Sequence, residues 1–255
     1  MKKFYFISGL PRSGNTLLAS LLNQNPNILA TGQSVVPSVY YDLQTITQNN
    51  LVNKIYPQNK RFDTFYNNLL SNFFIDDKEK YIIQRGEWIT PINLDIIKKY
   101  CPNQIKIVIM VRNVLDIIKS NLNHANNNPD YFINRGAVTD QDKIYNLMEK
   151  DGYINLMLSS IKKLKEDNEL KNYLIVDYDN FIKYPQKTLK DIYDYYGIKN
   201  FKTSFNNINQ LENYKDHLFG HSLHKIYTKN IKKNNYKITL DEEIIEKYKD
   251  IEFWK

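Results

Sequence analysis

The chain opens on an apolar stretch, residues 3 to 8 (KFYFIS), that runs into Gly9-Leu10-Pro11-Arg12-Ser13-Gly14-Asn15-Thr16 and then into the helical pattern of residues 15 to 23. A strand, a glycine turn and a helix in that order make the first half of a βαβ unit, and few folds accept such an opening. The turn fits the phosphate-loop template G-x-x-x-x-G-K-[ST] at every fixed position but one: Asn15 stands where nucleotide hydrolases place lysine. Backbone N–H groups of a turn like this, with the positive end of the following helix, cradle an anion whatever the side chains are. Gly9 and Gly14 by themselves would permit a tight turn and nothing more. The flanking strand and helix, the hydroxyl of Thr16 and Arg12 inside the turn favour a phosphate or sulfate ligand.

Three further stretches read as strands, residues 81 to 84 (YIIQ), 105 to 111 (IKIVIMV) and 173 to 176 (YLIV), each nearly continuous in apolar residues. Parallel strands covered on both faces have that composition. Helical patterns follow them at residues 91 to 100, 113 to 122 and 185 to 196. The alternation predicts an α/β, P-loop NTPase-like three-layer fold, with a central, mostly parallel sheet flanked by helices and ligand groups at the carboxyl ends of the strands. Residues 36 to 46 and 61 to 74 also read as helices, within an insertion of about 33 to 79 expected to form the acceptor side. Residues 123 to 130 read as a polar loop and 142 to 165 as one long helix. At 255 residues and without a linker or an internal repeat, the chain is expected to form one domain.

Composition excludes several classes. No apolar run approaches 18 residues, and the N-terminal segment is a strand pattern entering a glycine turn, so neither a membrane span nor a secretory signal is expected; the expectation is a soluble, cytoplasmic protein. One cysteine, Cys101, forms no intrachain disulfide, and the four histidines lack metal-ligand spacing, so no metal is expected. The net charge of +7 would suit an anionic partner. It equally describes a solvated basic surface, because 33 asparagines beside abundant lysine, isoleucine and tyrosine have the usage of an A/T-rich genome.

The strand at 105 to 111 carries the second informative feature. Phosphate-loop hydrolases and kinases end such a strand in an aspartate that holds magnesium, whereas this one ends in Arg112, followed by Asn113. A cation replaces the metal-binding anion. If a helix starts at Asn113, its positions 113, 116, 117 and 120 share a face, so Ser120 can sit over an anion that Arg112 reaches from the strand end.

Those residues resemble the sulfotransferases that use 3'-phosphoadenylyl sulfate (PAPS), closest to the tyrosylprotein and carbohydrate branches and their bacterial or viral relatives. The resemblance covers most of residues 4 to 200. It implies that Pro11, Arg12, Ser13, Gly14, Asn15 and Thr16 cradle the 5'-phosphosulfate, that Arg112 and Ser120 bind the 3'-phosphate, and that Tyr178, in the stretch YLIVDYDNFIKYP, lies near the nucleotide. The basic stretch HLFGHSLHKIYTKNIKKN (217 to 234) resembles the mobile loop that closes over the nucleotide, with Ser222, Lys225 and Lys229 as candidates. Arg85, in YIIQRGEW, stands where tyrosylprotein sulfotransferases carry a catalytic lysine, and Arg85 with Arg12 is expected to stabilise the leaving group; the alternative for Arg85 is an ion pair with Glu87. The family glutamate after the second strand has no counterpart in Ala30-Thr31-Gly32-Gln33-Ser34, which leaves Glu87, Asp42 and His124 as candidate bases. Trp88, Tyr40 and Tyr41 either line an acceptor pocket or pack as half-buried aromatics.

The resemblance thus implies metal-free, in-line transfer of a sulfonyl group from PAPS to a hydroxyl or amine of a carbohydrate, protein or small metabolite, releasing adenosine 3',5'-bisphosphate (PAP). Two alternatives stay open. A P-loop kinase or nucleotidase acting on ATP predicts magnesium dependence and a carboxylate at a strand end. A non-enzymatic nucleotide-binding module is the other; nucleic acid is not an expected partner, since the basic runs carry no patterned aromatics and no recognition-helix signature. The acceptor and the oligomeric state are left open.

Overall fold

In the computed structural model, which describes residues 2–101, 105–149, 152–206, 208, 231–233 and 236–255, five strands form one parallel sheet in the order β2-β3-β1-β4-β5. They are β1 (Lys3–Gly9), β2 (Ile28–Ala30), β3 (Tyr81–Arg85), β4 (Ile107–Val111) and β5 (Leu174–Asp177). Along β4 the side chains alternate between two apolar layers: Ile107, Ile109 and Val111 pack on one face, Val108 and Met110 on the other. A strand covered on both faces has no polar face to show, which is why the sequence pattern is continuous rather than alternating.

One face is covered by α1 (Asn15–Leu22) and α10 (Pro185–Tyr196). Tyr196 fixes the latter to the central strand: its ring stacks on Tyr5 at 4.7 Å and its hydroxyl donates to the Phe6 carbonyl at 2.9 Å. The other face carries α2 (Val36–Asn49), α4 (Asn59–Phe73), α5 (Pro91–Tyr100), α6 (Val114–Asn127), α7 (Asp140–Met148), α8 (Tyr153–Glu166) and α11 (Glu242–Tyr248), with α3 (Leu51–Ile55) between α2 and α4 and α9 (Tyr178–Lys183) directly after β5. Because every strand is parallel, β1, β3, β4 and β5 all deliver their carboxyl ends to the same edge of the sheet. β1 lies between the strands that end in Arg85 and before Arg112, at the point where the chain order reverses, and such a switch point leaves a crevice for a ligand.

Two expectations are corrected. Residues 142 to 165 are two helices: Gly152 starts α8, and a Cβ there would lie 2.3 Å from the Leu147 carbonyl oxygen, so the chain doubles back at a spot that only glycine fits. Residues 123 to 127 continue α6 instead of forming a loop. His124 and Ala125 are buried on its inner face, and this packing overrides the poor helix propensity of the asparagines until Pro129. β2 was too short to show a pattern; the Asn23 side chain holds it, accepting from Ala30 N at 2.6 Å and donating to Ala30 O at 2.7 Å. Trp88 and Tyr40 are core residues, 0% and 1% exposed, with Trp88 Nε1 donating to the Gln84 carbonyl and Tyr40 Oη to the Tyr66 carbonyl. Both are closed off from solvent, whereas Tyr41 is exposed.

Candidate active site

The turn after β1 is closed from inside. Gly9, at φ +120°, brings β1 so close to β4 that Leu10 N donates to the Met110 carbonyl at 2.8 Å. Ser13 Oγ donates to the Leu10 carbonyl at 2.5 Å, and Asn15 Nδ2 donates to the same carbonyl at 3.0 Å and to Ser13 Oγ at 3.2 Å. Asn15 is therefore a buried brace of the turn and not a cation reaching outward. Gly14, at φ +86°, caps α1. Among the described residues the N–H groups of residues 13 to 16 donate to no protein acceptor, the state expected of a helix start built to face an anion.

The positive charge that lysine would supply comes from Arg12. Its backbone sits at φ +59°, a conformation that costs a non-glycine residue about 1–2 kcal/mol and that persists only where neighbours enforce it. One of those neighbours is Arg112, whose Nη1 donates to the Arg12 carbonyl at 2.9 Å. The Arg12 guanidinium crosses to α6, with Nε donating to Ser120 Oγ at 3.1 Å and Nη2 lying 2.8 Å from His124 Nε2. An arginine nitrogen only donates, so His124 Nε2 accepts. That contact is made by a neutral imidazole carrying its proton on Nδ1.

Arg112 follows β4 and is 3% exposed. Its guanidinium lies 4.4 Å from the centroid of the Tyr178 ring, and Nη2 stands 3.8 Å from Asp116 one helical turn on. Its Nε is buried with no acceptor among the described residues. A charged donor in that state wants an anion, which makes it the clearest mark of a ligand position in the turn region. Tyr178 is wedged between Arg112 and the turn, so that a Cβ on Gly14 would lie 2.9 Å from its Cδ2. Burial pushes the Tyr178 phenol above its ordinary range, with Arg112 opposing, so the hydroxyl remains protonated at neutral pH.

Asn113 caps α6 by accepting from Asp116 N at 3.2 Å, which sets the register that turns the wholly buried Ser120 toward Arg12. Two partners were invisible in the sequence. Ser120 Oγ donates to Tyr236 Oη at 3.1 Å, 116 positions away. Lys233 reaches Asp116 at 3.0 Å and Asp179 at 2.9 Å, pinning its segment to α6 and α9. Burial opposes the Lys233 charge, but these two carboxylates outweigh it and raise the ammonium above its usual value.

The remaining candidates fall elsewhere. Arg85 ends β3, paired in register with Ile7, and its carbonyl accepts from Ser34 N at 2.9 Å. Arg85 and Glu87 are both half-buried, and no ion pair joins them among the described residues. Asp42 is exposed on α2. Ser222, Lys225 and Lys229 lie outside the described residues. No group of three or more His, Cys, Asp or Glu side chains is placed to hold a metal among the described residues.

Residues 5–203 of the chain match the sulfotransferase family. The chain belongs to that family. Its fold is that of solved sulfotransferases: the sulfotransferase domain of the Synechococcus olefin synthase superposes with a TM-score of 0.54 at 15% identity, over 87% of this chain and 84% of that one. The sulfotransferase domain from the curacin biosynthetic pathway gives 0.54 at 13% identity over 99% and 92% of the two chains, and the Alicyclobacillus acidocaldarius sulfotransferase gives 0.52 at 13% over 86% and 88%. Comparison with curated proteins returns no match. In this sulfotransferase the turn after β1, the residue after β4 and the inner face of α6 meet in one cluster, formed by Arg12, Arg112, Ser120, His124 and Tyr178.

Proposed function

We propose that this sulfotransferase takes its sulfonyl group from PAPS and moves it, without a metal, to a hydroxyl or amine acceptor. What carries the reading is the pair of arginines, Arg12 and Arg112, placed around the open N–H groups of residues 13 to 16, with an orphaned Arg112 Nε where a magnesium-binding carboxylate would otherwise stand. When bound, PAPS supplies an activated sulfonyl group on a phosphate leaving group. The residues from Pro11 to Thr16 hold the 5' end through backbone N–H groups and the Arg12 guanidinium. Arg112 and Ser120 hold the 3'-phosphate, and Tyr178 sets the plane against which Arg112 lies. Arg12 and Arg85 face the charge that develops on the leaving side, where one well-placed donor is worth about 3 kcal/mol of barrier. Glu87, beside Arg85 at the same strand end, is our choice for receiving the acceptor's proton, and the base of the 33 to 79 insertion forms the acceptor side. Thermal shift with PAP against Mg-ATP tests the reading: stabilisation by PAP in the presence of a chelator is expected, and preference for Mg-ATP would remove it.

His124 is assigned a positioning role. Its Nε2 is already engaged by Arg12, so it aims the guanidinium and is not poised to accept a proton from an acceptor. The His124→Leu variant should lose about 10- to 100-fold in turnover, the worth of one hydrogen bond to a charged group, while His124→Gln, whose carbonyl still accepts, should retain most of it. A leucine variant with full turnover, or a glutamine variant as impaired as the leucine one, would refute the role.

A further inference from the structure

The α2–α3–α4 projection is built inside out. In the short helix α3, none of whose residues is buried, the polar side chain faces the protein: Asn53 Nδ2 donates to the Thr47 carbonyl at 2.9 Å, and its Oδ1 accepts from Gln58 N at 2.9 Å. Asn50 caps the same helix by accepting from Asn53 N at 3.0 Å. At 100° per residue, Leu51, Val52 and Ile55 fall within one 100° arc opposite Asn53, and they are 69%, 66% and 59% exposed. Tyr56 follows at 68% exposure. A surface helix normally shows the reverse arrangement, and scattered exposed aliphatics are ordinary where a contiguous cluster held by a hydrogen-bonded frame is not.

The charge around the cluster selects its partner. Lys54, Lys60 and Arg61 are exposed, and no carboxylate occurs from residue 43 through residue 62. A second copy docked through this tip would set like charges against each other with no acid between them. An anionic lipid surface accepts all of it: aliphatic side chains below the headgroups, the tyrosine ring at the interface, and lysine and arginine on the phosphates. No described helix is long and apolar enough to cross a membrane, so the contact is peripheral. We propose that the tip formed by Leu51, Val52, Ile55 and Tyr56, with Lys54, Lys60 and Arg61 around it, docks this protein on an anionic membrane surface. The inference does not depend on the sulfonyl donor.

Co-sedimentation of the full chain with vesicles tests it, using phosphatidylcholine alone and phosphatidylcholine with about one-third phosphatidylglycerol. Wild-type protein should partition at least about tenfold more strongly onto the anionic vesicles, less so in high salt, and the Leu51→Asp/Ile55→Asp double variant should lose about tenfold or more. Lys54→Glu/Lys60→Glu should lose the preference for the anionic lipid. All these positions are exposed, so melting temperatures should not change, which separates lost docking from lost folding. Equal pelleting of wild type and the aspartate variant overturns the proposal, as does failure of the wild type to bind either vesicle. A dimer in light scattering that Ile55→Asp dissociates would overturn it too, by giving the face to a second copy.

Discussion

Replacing Arg112 with alanine should weaken PAP binding about 100- to 10,000-fold. Hydrogen bonds to a charged group contribute about 1.5–3 kcal/mol each, and a guanidinium at a phosphate makes two, which at about 1.4 kcal/mol per tenfold gives that range. Stability should suffer less. The variant removes the donor to the Arg12 carbonyl at 2.9 Å and the stack on Tyr178 at 4.4 Å, but it also removes a buried Nε that has no partner among the described residues. Arg112→Lys should fall between, since it keeps the charge and loses both the fork and the flat face. Calorimetric titration with PAP measures the first effect and urea unfolding the second. Binding by the alanine variant within about twofold of wild type would move the 3'-phosphate away from this residue.

Gly9→Ala is expected to be the most destabilising single substitution in the turn. A Cβ there would stand 2.1 Å from the Met110 carbonyl oxygen and 2.6 Å from its nitrogen, both backbone atoms of β4. They cannot retreat, because Met110 is also paired with Val176 of β5 on the other side. Strain at φ +120° adds to the clash, for a total of about 3–6 kcal/mol, a large part of the ~5–15 kcal/mol that holds a protein folded. Melting should drop by about 6–20 °C. Gly136→Ala is the control: it has a positive φ of 69° but nothing within 4 Å of the added carbon, so only the backbone cost of about 1–2 kcal/mol applies. If Gly9→Ala melts within about 2 °C of wild type, the close approach of β1 to β4 is wrong.

Much of the architecture could be read in one dimension because its causes are local. The continuous apolar runs at β1, β3 and β4 report burial on both faces, and α5 and α10 begin at Pro91 and Pro185 as their proline starts predict. The break at Gly152 and the length of α6 were not legible. Each is set by what the segment packs against, the Leu147 carbonyl in one case and a buried helix face in the other. The aromatic residues mislead for the same reason: nothing local distinguishes Trp88, wholly buried, from Tyr41, exposed.

The site divides along the same line. From the sequence alone came the glycine turn between β1 and α1, the absence of lysine in it, the arginine that follows β4, and the spacing that places Ser120 on the inner face of α6, since each is a matter of backbone conformation or helical register. Only the folded chain decided that Asn15 points inward to brace the turn, that Arg12 is aimed by His124, 112 positions away, and that Tyr236 closes on Ser120. Side chains so far apart in the chain meet because parallel strands bring their ends to one edge, and no local pattern records which of them will arrive there.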